Sequence, residues 1–144
     1  MGPGGNLSKQ FITVTGSRTV SSTDGWNSRK FTADQHKGAM IMVNRSAETG
    51  TATMSVTVKY RNPITGTYHL LAGATQTTSQ WADGATGTGY ILIYPGLTAA
   101  DADALMIMDT LSVHCGSYLP QEFRIEVVTT GTTNVFSIGM VLLP

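Results

Sequence analysis

Apolar residues recur along this chain in two patterns that both indicate β-strands. Residues 51–60 alternate apolar and polar positions, which is typical of a strand with one wet face. Residues 39–43 and 90–94 are apolar or aromatic at every position, which predicts strands that are covered on both faces and lie centrally in their sheets. Pro95 and Gly96 end the second run, because proline donates no amide hydrogen to a sheet and glycine permits a sharp turn.

Shorter β-prone segments surround these runs. A turn at residues 61–66 predicts a hairpin that joins residues 51–60 to residues 67–71, and residues 72–74 end it. Residues 75–81 are polar and β-prone, which suits a strand at the edge of a sheet.

The two ends of the chain add further strands. Residues 11–15 form a β-branched run closed by Gly16, and residues 19–22 extend it. Near the C-terminus, residues 123–127 alternate apolar and polar positions, and a turn leads into the apolar residues 135–143. This last pattern predicts a long C-terminal hairpin.

Helix-like composition is confined to the stretch after Gly96. Thr98 is a suitable N-cap for a short helix through Leu105, although residues 105–108 also fit a strand or an extended connection. With turn signals at intervals of about ten residues, the chain is predicted to be all-β, an antiparallel β-sandwich or jelly roll. We divide it into an N-terminal arm with the first strands, residues 1–25, and one sandwich domain, residues 26–144.

The N-terminus and the composition narrow the function classes. The first eight residues are rich in Gly and Pro and predict a flexible arm, unless residues 1–5 are a cloning remnant. Only 12% of the 144 residues are charged, and nine basic residues balance nine acidic ones, so no net field favours nucleic acid or a membrane surface as a partner. A weakly charged surface suits a subunit that packs against neighbours.

The sequence shows no signal peptide and no apolar run long enough to span a membrane. Cys115 has no second cysteine with which to form a disulfide bond. We therefore expect the protein to be made in a reducing cytosol.

Catalytic and metal-binding patterns are missing from the sequence. Three histidines are scattered without metal-ligand spacing, and the adjacent His114 and Cys115 would point to opposite faces of a strand. Asp101, Asp103 and Asp109 lack the glycine and the acidic last ligand of an EF-hand loop, so a helix start or solvated loop is favoured over a calcium site. We therefore predict no enzyme activity, no metal and no cofactor.

Aromatic residues are the remaining candidates for binding. Trp26 and Trp81, with the tyrosines, fit either a sugar-stacking platform or core and subunit contacts, and we favour the second. The predicted partner-binding residues are Trp26, Trp81, Phe11 and Asn6.

The order of several short motifs resembles a group of small structural proteins of tailed bacteriophages. Members of this group share a strand ending in Tyr-Pro-Gly, here residues 94–96, a Leu-Pro before an aromatic-Arg strand, here Leu119-Pro120 and Phe123-Arg124, and a closing Phe-x-x-Gly strand, here residues 136–139. The resemblance covers residues 39–144, and residues 1–38 match nothing in it.

This resemblance implies a virion protein, made in the host cytoplasm and located on the capsid surface. It implies a capsid decoration (cement) protein that sits on the assembled head as trimers and binds the major capsid protein. The alternative is a carbohydrate-binding module associated with a phage tail or fibre.

Overall fold

Ten strands and one short helix make up the part of the chain that the computed structural model describes, residues 8–21, 23–105 and 110–144. The elements are β1 (Gln10–Ser21), β2 (Trp26–Asn27), β3 (Phe31–Thr32), β4 (Gly38–Thr49), β5 (Thr53–Arg61), β6 (Tyr68–Trp81), β7 (Gly87–Ile93), α1 (Ala99–Leu105), β8 (Val113–Cys115), β9 (Glu122–Thr130) and β10 (Thr133–Leu143). The protein is therefore all-β, as the alternating pattern predicted.

The strands form two sheets that face each other. Sheet A has the order β1-β10-β4-β7-β8, and sheet B has the order β2-β9-β5-β6, with β3 also paired to β9. All pairs are antiparallel except β7 with β8. Without the short β3 and β8, the pairing is nested: the first of the eight remaining strands pairs with the last, the second with the seventh, the third with the sixth, and the fourth with the fifth.

One hydrophobic core fills the space between the sheets, an arrangement compatible with a β-sandwich. Alternate residues of the strands point into it, because successive side chains of a strand lie on opposite faces. The largest fully buried apolar side chains of this core are Trp81, Phe123, Phe136, Ile41, Met54, Ile91, Ile93, Ile125, Ile138 and Met140.

The predicted C-terminal hairpin is wrong. β9 lies in sheet B and β10 in sheet A, so the two-residue connection at Gly131 crosses from one sheet to the other. The connection from β4 to β5 makes the same crossing at Gly50. Short connections of this kind resemble hairpin turns in sequence. The sheet that a strand joins is decided by pairing partners that are distant in sequence: β10 pairs with β1 and β4, and β9 pairs with β5.

The strand at residues 90–94 is not central. β7 is the fourth of five strands in sheet A and has the three-residue β8 on its outer side, whereas β4 occupies the centre as predicted. Burial on both faces is nevertheless observed, since Ile91, Leu92 and Ile93 are all buried. Covering an apolar strand therefore does not require a central position.

Residues 68–81 form one long strand instead of two. The predicted hairpin of β5 with the start of β6 is confirmed, and the edge position of residues 75–81 is also confirmed. Residues 72–74 do not end the strand. They form an irregularity in its pairing with β5, where Gly73 has a φ of +86°.

The helix begins where its N-cap was predicted. The amide of Asp101 donates to the Thr98 hydroxyl at 3.2 Å, and the amide of Thr98 donates to the Asp101 carboxylate at 3.3 Å, which is a reciprocal capping arrangement. The alternative strand at residues 105–108 falls largely outside the described residues. In the part of the chain that the structure covers, no helix is long and apolar enough to cross a membrane.

Candidate functional site

The two ends of the molecule have different surfaces. Strands β4 and β9 start at one end of the molecule, and strands β5 and β10 finish there. Tyr60 near the end of β5 pairs with Phe123 near the start of β9, and the amide of Leu119 donates to the carbonyl of Lys37, just before β4. We call this end the proline end, since its loops and the C-terminus carry Pro63, Pro95, Pro120 and Pro144. The opposite end, which we call the crossover end, holds the connections from β4 to β5 and from β9 to β10 that cross between the sheets.

Large exposed apolar side chains gather at the proline end. Ile64 is 92% exposed, Phe11 78% and Tyr118 68%, the three highest values among the large apolar residues that the structure describes. Ile64 and Tyr118 lie in its loops, and Phe11 lies near the start of β1, opposite Val141. The crossover end has no comparable residue in the described chain; Val128, half-exposed, lies on β9 away from the proline end.

Hydrogen bonds fix the loop that carries Ile64. The Asn62 side-chain oxygen accepts from the amides of Ile64 at 2.8 Å and Thr65 at 3.3 Å. The carbonyl of Asn62 accepts from Gly66, and its amide donates to Thr67, both at 2.8 Å. The side chain of Ile64 is therefore presented to solvent on a rigid turn.

Two grooves open at the proline end. The first, the Tyr60 groove, has a volume of about 430 Å³ and is lined by Tyr60, Arg61, Pro63, Pro120, Gln121 and Glu122. The second, the Leu97 groove, has about 400 Å³ and is lined by Tyr94, Pro95, Gly96, Leu97, Asp101 and Ala104. Apolar surface predominates over polar surface in the walls of both grooves, so both suit an apolar or sugar-like ligand more than an ion.

Charged residues border the Tyr60 groove on the outer face of sheet B. Arg61 Nε lies 3.4 Å from Glu122 Oε2, and the Tyr68 hydroxyl donates to the same carboxylate at 3.2 Å. The guanidinium of Arg124 stacks over the Tyr68 ring at 4.1 Å. Partial loss of water around the hydroxyl, together with the negative charge of Glu122, raises the pKa of Tyr68, so the phenol stays protonated and acts as a donor.

A buried arginine organises the crossover end. The side chain of Arg45 is fully buried, and its two terminal nitrogens donate to five oxygens: the carbonyls of Trp81, Ala82, Ala85 and Ala52 and the side chain of Asn134. Burial lowers the pKa of Arg45, and the nearby carboxylates of Glu48 and Asp83 oppose that effect. The guanidinium thus satisfies carbonyl groups at the connections from β4 to β5 and from β6 to β7, next to the connection from β9 to β10. Its role is therefore to hold these connections together.

Sequence reasoning missed this arginine because residues 44–50 lie beyond the apolar run of residues 39–43, which alone predicted the strand. The structure continues β4 through them to Thr49 and directs Arg45 inward. The alternation of Ile41, Val43 and Arg45 was the available signal, since it places Arg45 on the buried face.

Two carboxyl groups lie together beside the buried arginine. Glu48 accepts from the amides of Ala52 and Gly84, and it also shares a side-chain hydrogen bond with Asp83. Partial desolvation and the neighbouring Glu48 raise the pKa of Asp83, so this carboxyl group is protonated more readily than that of an isolated aspartate.

The predicted partner-binding residues are dispersed. Phe11 is exposed at the proline end, and Asn6 lies outside the described residues. Trp26 is half-buried beside the core, edge-on to Phe136 with ring centroids 6.0 Å apart and the Arg18 guanidinium 5.1 Å from its ring. Trp26 therefore packs against the edge of the core and does not present a free ring face for stacking on a sugar.

Trp81 is not a contact residue. Its side chain is fully buried, and its indole nitrogen donates to Gln76 Oε1 at 3.1 Å inside the core. The prediction of a surface role is wrong because the inward position of Trp81, opposite Met54, overrides the polar appearance of residues 75–80. A sugar platform that pairs the two tryptophans is excluded by the same burial.

Within residues 8–21, 23–105 and 110–144, no three His, Cys, Asp or Glu side chains are grouped so that they could hold a metal ion. Neither protein-family models nor curated proteins give a match to this chain.

Proposed function

We propose that this chain is a non-enzymatic structural protein of a virion, a capsid decoration protein that binds the outer surface of the head and bridges major capsid protein subunits. The observation that carries the proposal is the concentration of exposed Phe11, Ile64 and Tyr118 at one end, where Phe11 lies near the start of β1 and Ile64 on a hydrogen-bonded turn. Rigid apolar side chains of this kind are the usual anchors of protein interfaces.

The strand order supports the jelly-roll part of the proposal. Nested pairing of eight strands is what results when one long antiparallel hairpin is rolled into two four-stranded sheets. Jelly rolls are common in viral capsid and lectin domains, so the fold agrees with a virion role by analogy alone.

Docking through the proline end explains how such a protein would stabilise a capsid. Burying Phe11 and Tyr118 across the boundary between capsid subunits lowers the free energy of the closed shell and leaves that of the open one unchanged. The sequence is electrically neutral, so association depends on apolar fit and not on long-range attraction. The carbonyl of Ser8 contacts Nε2 of His36 at 2.9 Å, so the chain enters the fold at this end, and we retain Asn6 as a contact.

Co-sedimentation with expanded, undecorated capsids tests this proposal. We expect the Phe11→Ser and Tyr118→Ser variants to bind at least about tenfold more weakly each, because truncating an interface anchor costs about 2 kcal/mol or more and about 1.4 kcal/mol corresponds to tenfold. Val128→Ser is the matched control, since Val128 is exposed but lies outside the proline end. Equal binding by all variants, or no binding by the unaltered protein to any capsid, would overturn the proposal.

A carbohydrate-binding module is the second candidate, favoured by the Tyr60 groove. Its tyrosine and proline walls, with Arg61, Gln121 and Glu122 at the rim, combine an apolar surface with polar groups suited to sugar hydroxyls. A glycan array would identify such binding, and the Tyr60→Ala variant would abolish it while capsid binding persisted.

A further inference from the structure

We infer that His36 is a proton-dependent latch, which holds the start of β1 against the rest of the fold and releases it as the pH rises. The latch joins the carbonyl of Ser8, just before β1, to the turn formed by residues 33–36. The inference goes beyond the proposed function and does not depend on it, because the contact lies within a single chain.

Both ring nitrogens of His36 contact hydrogen-bond acceptors. Nδ1 lies 2.8 Å from the carbonyl oxygen of Ala33, and Nε2 lies 2.9 Å from the carbonyl oxygen of Ser8. A carbonyl oxygen only accepts hydrogen bonds. A neutral imidazole has one N–H and can donate to one of the two oxygens, whereas the imidazolium has two N–H groups and can donate to both. The complete set of contacts therefore requires a protonated ring.

The burial of the ring makes each of these contacts important. His36 is only 6% exposed, so solvent has little access to replace a lost partner. In the neutral ring, the nitrogen without a proton directs its lone pair at a carbonyl oxygen, which is unfavourable in a buried, weakly polarisable environment. Loss of the proton therefore breaks one of the two contacts.

The turn decides which contact is lost. The backbone amide of His36 donates to the same Ala33 carbonyl at 2.9 Å, so this oxygen stays beside the ring whatever its charge. Ser8 is 28 residues away in the sequence and is exposed. The neutral ring therefore keeps its proton on Nδ1, facing Ala33, and gives up the contact with Ser8.

Backbone strain in the turn supports a dedicated role for His36. Asp34 and Gln35 have φ values of +48° and +68°, in the left-handed region that residues other than glycine rarely adopt. Strain of this kind persists only where the surrounding structure requires it, and it is common in switch regions. Here it closes the tight turn that holds the ring of His36 beside Ser8.

Charged groups near the turn do not compete for the ring. The segments around His36 carry six charged or titratable groups: Lys9, Asp34, Lys37, Tyr118, Glu122 and the C-terminal carboxylate of Pro144. Asp34 accepts from the Thr32 hydroxyl, and Glu122 is paired with Arg61. Among the residues that the structure describes, none of the six forms a hydrogen bond or an ion pair with His36. The two carbonyl contacts are therefore what the proton controls.

Opening of the latch loosens the start of an edge strand. β1 pairs on one side only, with β10, and its pairing begins at Gln10 with Leu142. Histidine changes charge between about pH 5 and pH 8. Because the charged ring makes both contacts and the neutral ring makes one, the latch is closed at the acidic end of this range and opens as the pH rises. The first pairs of β1, including that of the exposed Phe11 with Val141, then fray more readily.

Nuclear magnetic resonance of the unaltered protein tests the proton requirement. Long-range ¹H–¹⁵N spectra distinguish a protonated ring nitrogen from one with a free lone pair. We expect both nitrogens of His36 to be protonated at about pH 5.5 and Nε2 alone to have lost its proton by about pH 8.5. A neutral ring protonated on Nε2 would overturn the inference, since donation to Ser8 would then persist. A ring that keeps one form across this range would overturn it as well.

Tryptic cleavage after Lys9 measures the release of β1. Lys9 directly follows Ser8, so the cleavage rate, relative to that of a free peptide of the same sequence, reports how often the start of the strand is open. We expect this relative rate to rise about tenfold from about pH 6 to about pH 8.5, because a hydrogen bond to a charged group is lost. An unchanged relative rate would refute the latch.

Two histidine variants assign the effect to one ring. His36→Gln cannot gain a proton, so we expect the same relative cleavage rate at both pH values. His69→Gln is the matched control, because His69 is exposed on β6 and its ring contacts Thr67; the rise with pH should persist in this variant. A rise that persists in His36→Gln, or that disappears in His69→Gln, would contradict the inference. If His36→Gln does not fold, the ring-nitrogen spectra and the cleavage rates of the unaltered protein decide.

Discussion

Arg45 Nη2 donates a 2.6 Å hydrogen bond to Oδ1 of Asn134, and both side chains are fully buried. The side-chain nitrogen Nδ2 of Asn134 donates in turn to the carbonyls of Thr53 and Thr130, at 3.4 and 3.2 Å. Arg45 and Asn134 belong to sheet A, whereas Thr53 and Thr130 belong to sheet B. The pair therefore joins the two sheets at the crossover end.

Removing the Asn134 side chain should destabilise the protein strongly. In Asn134→Ala the two carbonyls and one Arg45 donor lose a buried partner, and we expect a loss of about 2–4 kcal/mol in the free energy of unfolding. Urea denaturation followed by circular dichroism measures it. Asn44→Ala is the control, because Asn44 is exposed on the neighbouring strand, and it should change stability by less than about 0.5 kcal/mol. Equal midpoints for the two variants would refute the structural role of the pair.

Close packing of the two crossing connections can be tested at glycine. Gly131 and Gly84 have nearly the same φ, +83° and +81°, but a Cβ on Gly131 would lie 2.4 Å from the Ala52 Cα, whereas nothing lies within 4 Å at Gly84. Both alanine substitutions suffer backbone strain of about 1–2 kcal/mol. We expect Gly131→Ala to cost at least about 2 kcal/mol more in thermal or urea unfolding, as overpacking adds to strain. Similar losses in both variants would show that the connections are not closely packed.

The Glu48–Asp83 pair should make stability depend on pH in a predictable direction. The folded-state pKa of Asp83 is raised above its unfolded value, so the pair is favourable at low pH and its contribution is lost as the pH rises through that pKa. Asp83→Asn removes the repulsion, and we expect a higher melting temperature than that of the unaltered protein at pH 7 and a smaller gain at pH 3, where Asp83 is largely protonated in the folded and the unfolded protein. A gain of the same size at both pH values would rule out this origin.

Trp81 should behave as a core residue in both stability and fluorescence. Trp81→Phe leaves a cavity and deprives Gln76 Oε1 of its donor, so we expect a loss of about 2–4 kcal/mol. Trp26→Phe, at the half-buried edge, should cost less. The emission that remains in Trp81→Phe comes from Trp26 and should be red-shifted relative to that of Trp26→Phe, because Trp26 is partly in contact with water. The reverse order of emission maxima would contradict the assignment.

Local pattern was sufficient to predict most strands. Alternation at residues 51–60, the apolar run at residues 39–43, the N-cap at Thr98 and the turn before Tyr68 each depend on neighbours within a few residues, and all four are confirmed. The all-β class follows from the same signals.

The candidate surface could be predicted only in part. Phe11 was named from the sequence, and it is exposed. Ile64 and Tyr118 were not singled out, because an apolar residue in a loop is read equally well as buried or exposed. Trp81 was misassigned because the polar residues 75–80 before it are typical of an exposed edge strand.

The sequence by itself determined most of the strand segments, the turn before Tyr68, and the balance of charge, because each depends on local composition. Only the tertiary structure decided that β9 and β10 lie in different sheets, that Arg45 is buried in a cage of carbonyls, and that Phe11, Ile64 and Tyr118 share one end. These features depend on contacts between residues far apart in the chain, such as Arg45 with Asn134. Such contacts arise when whole strands pair, and the partner of a strand cannot be inferred from the sequence of that strand alone.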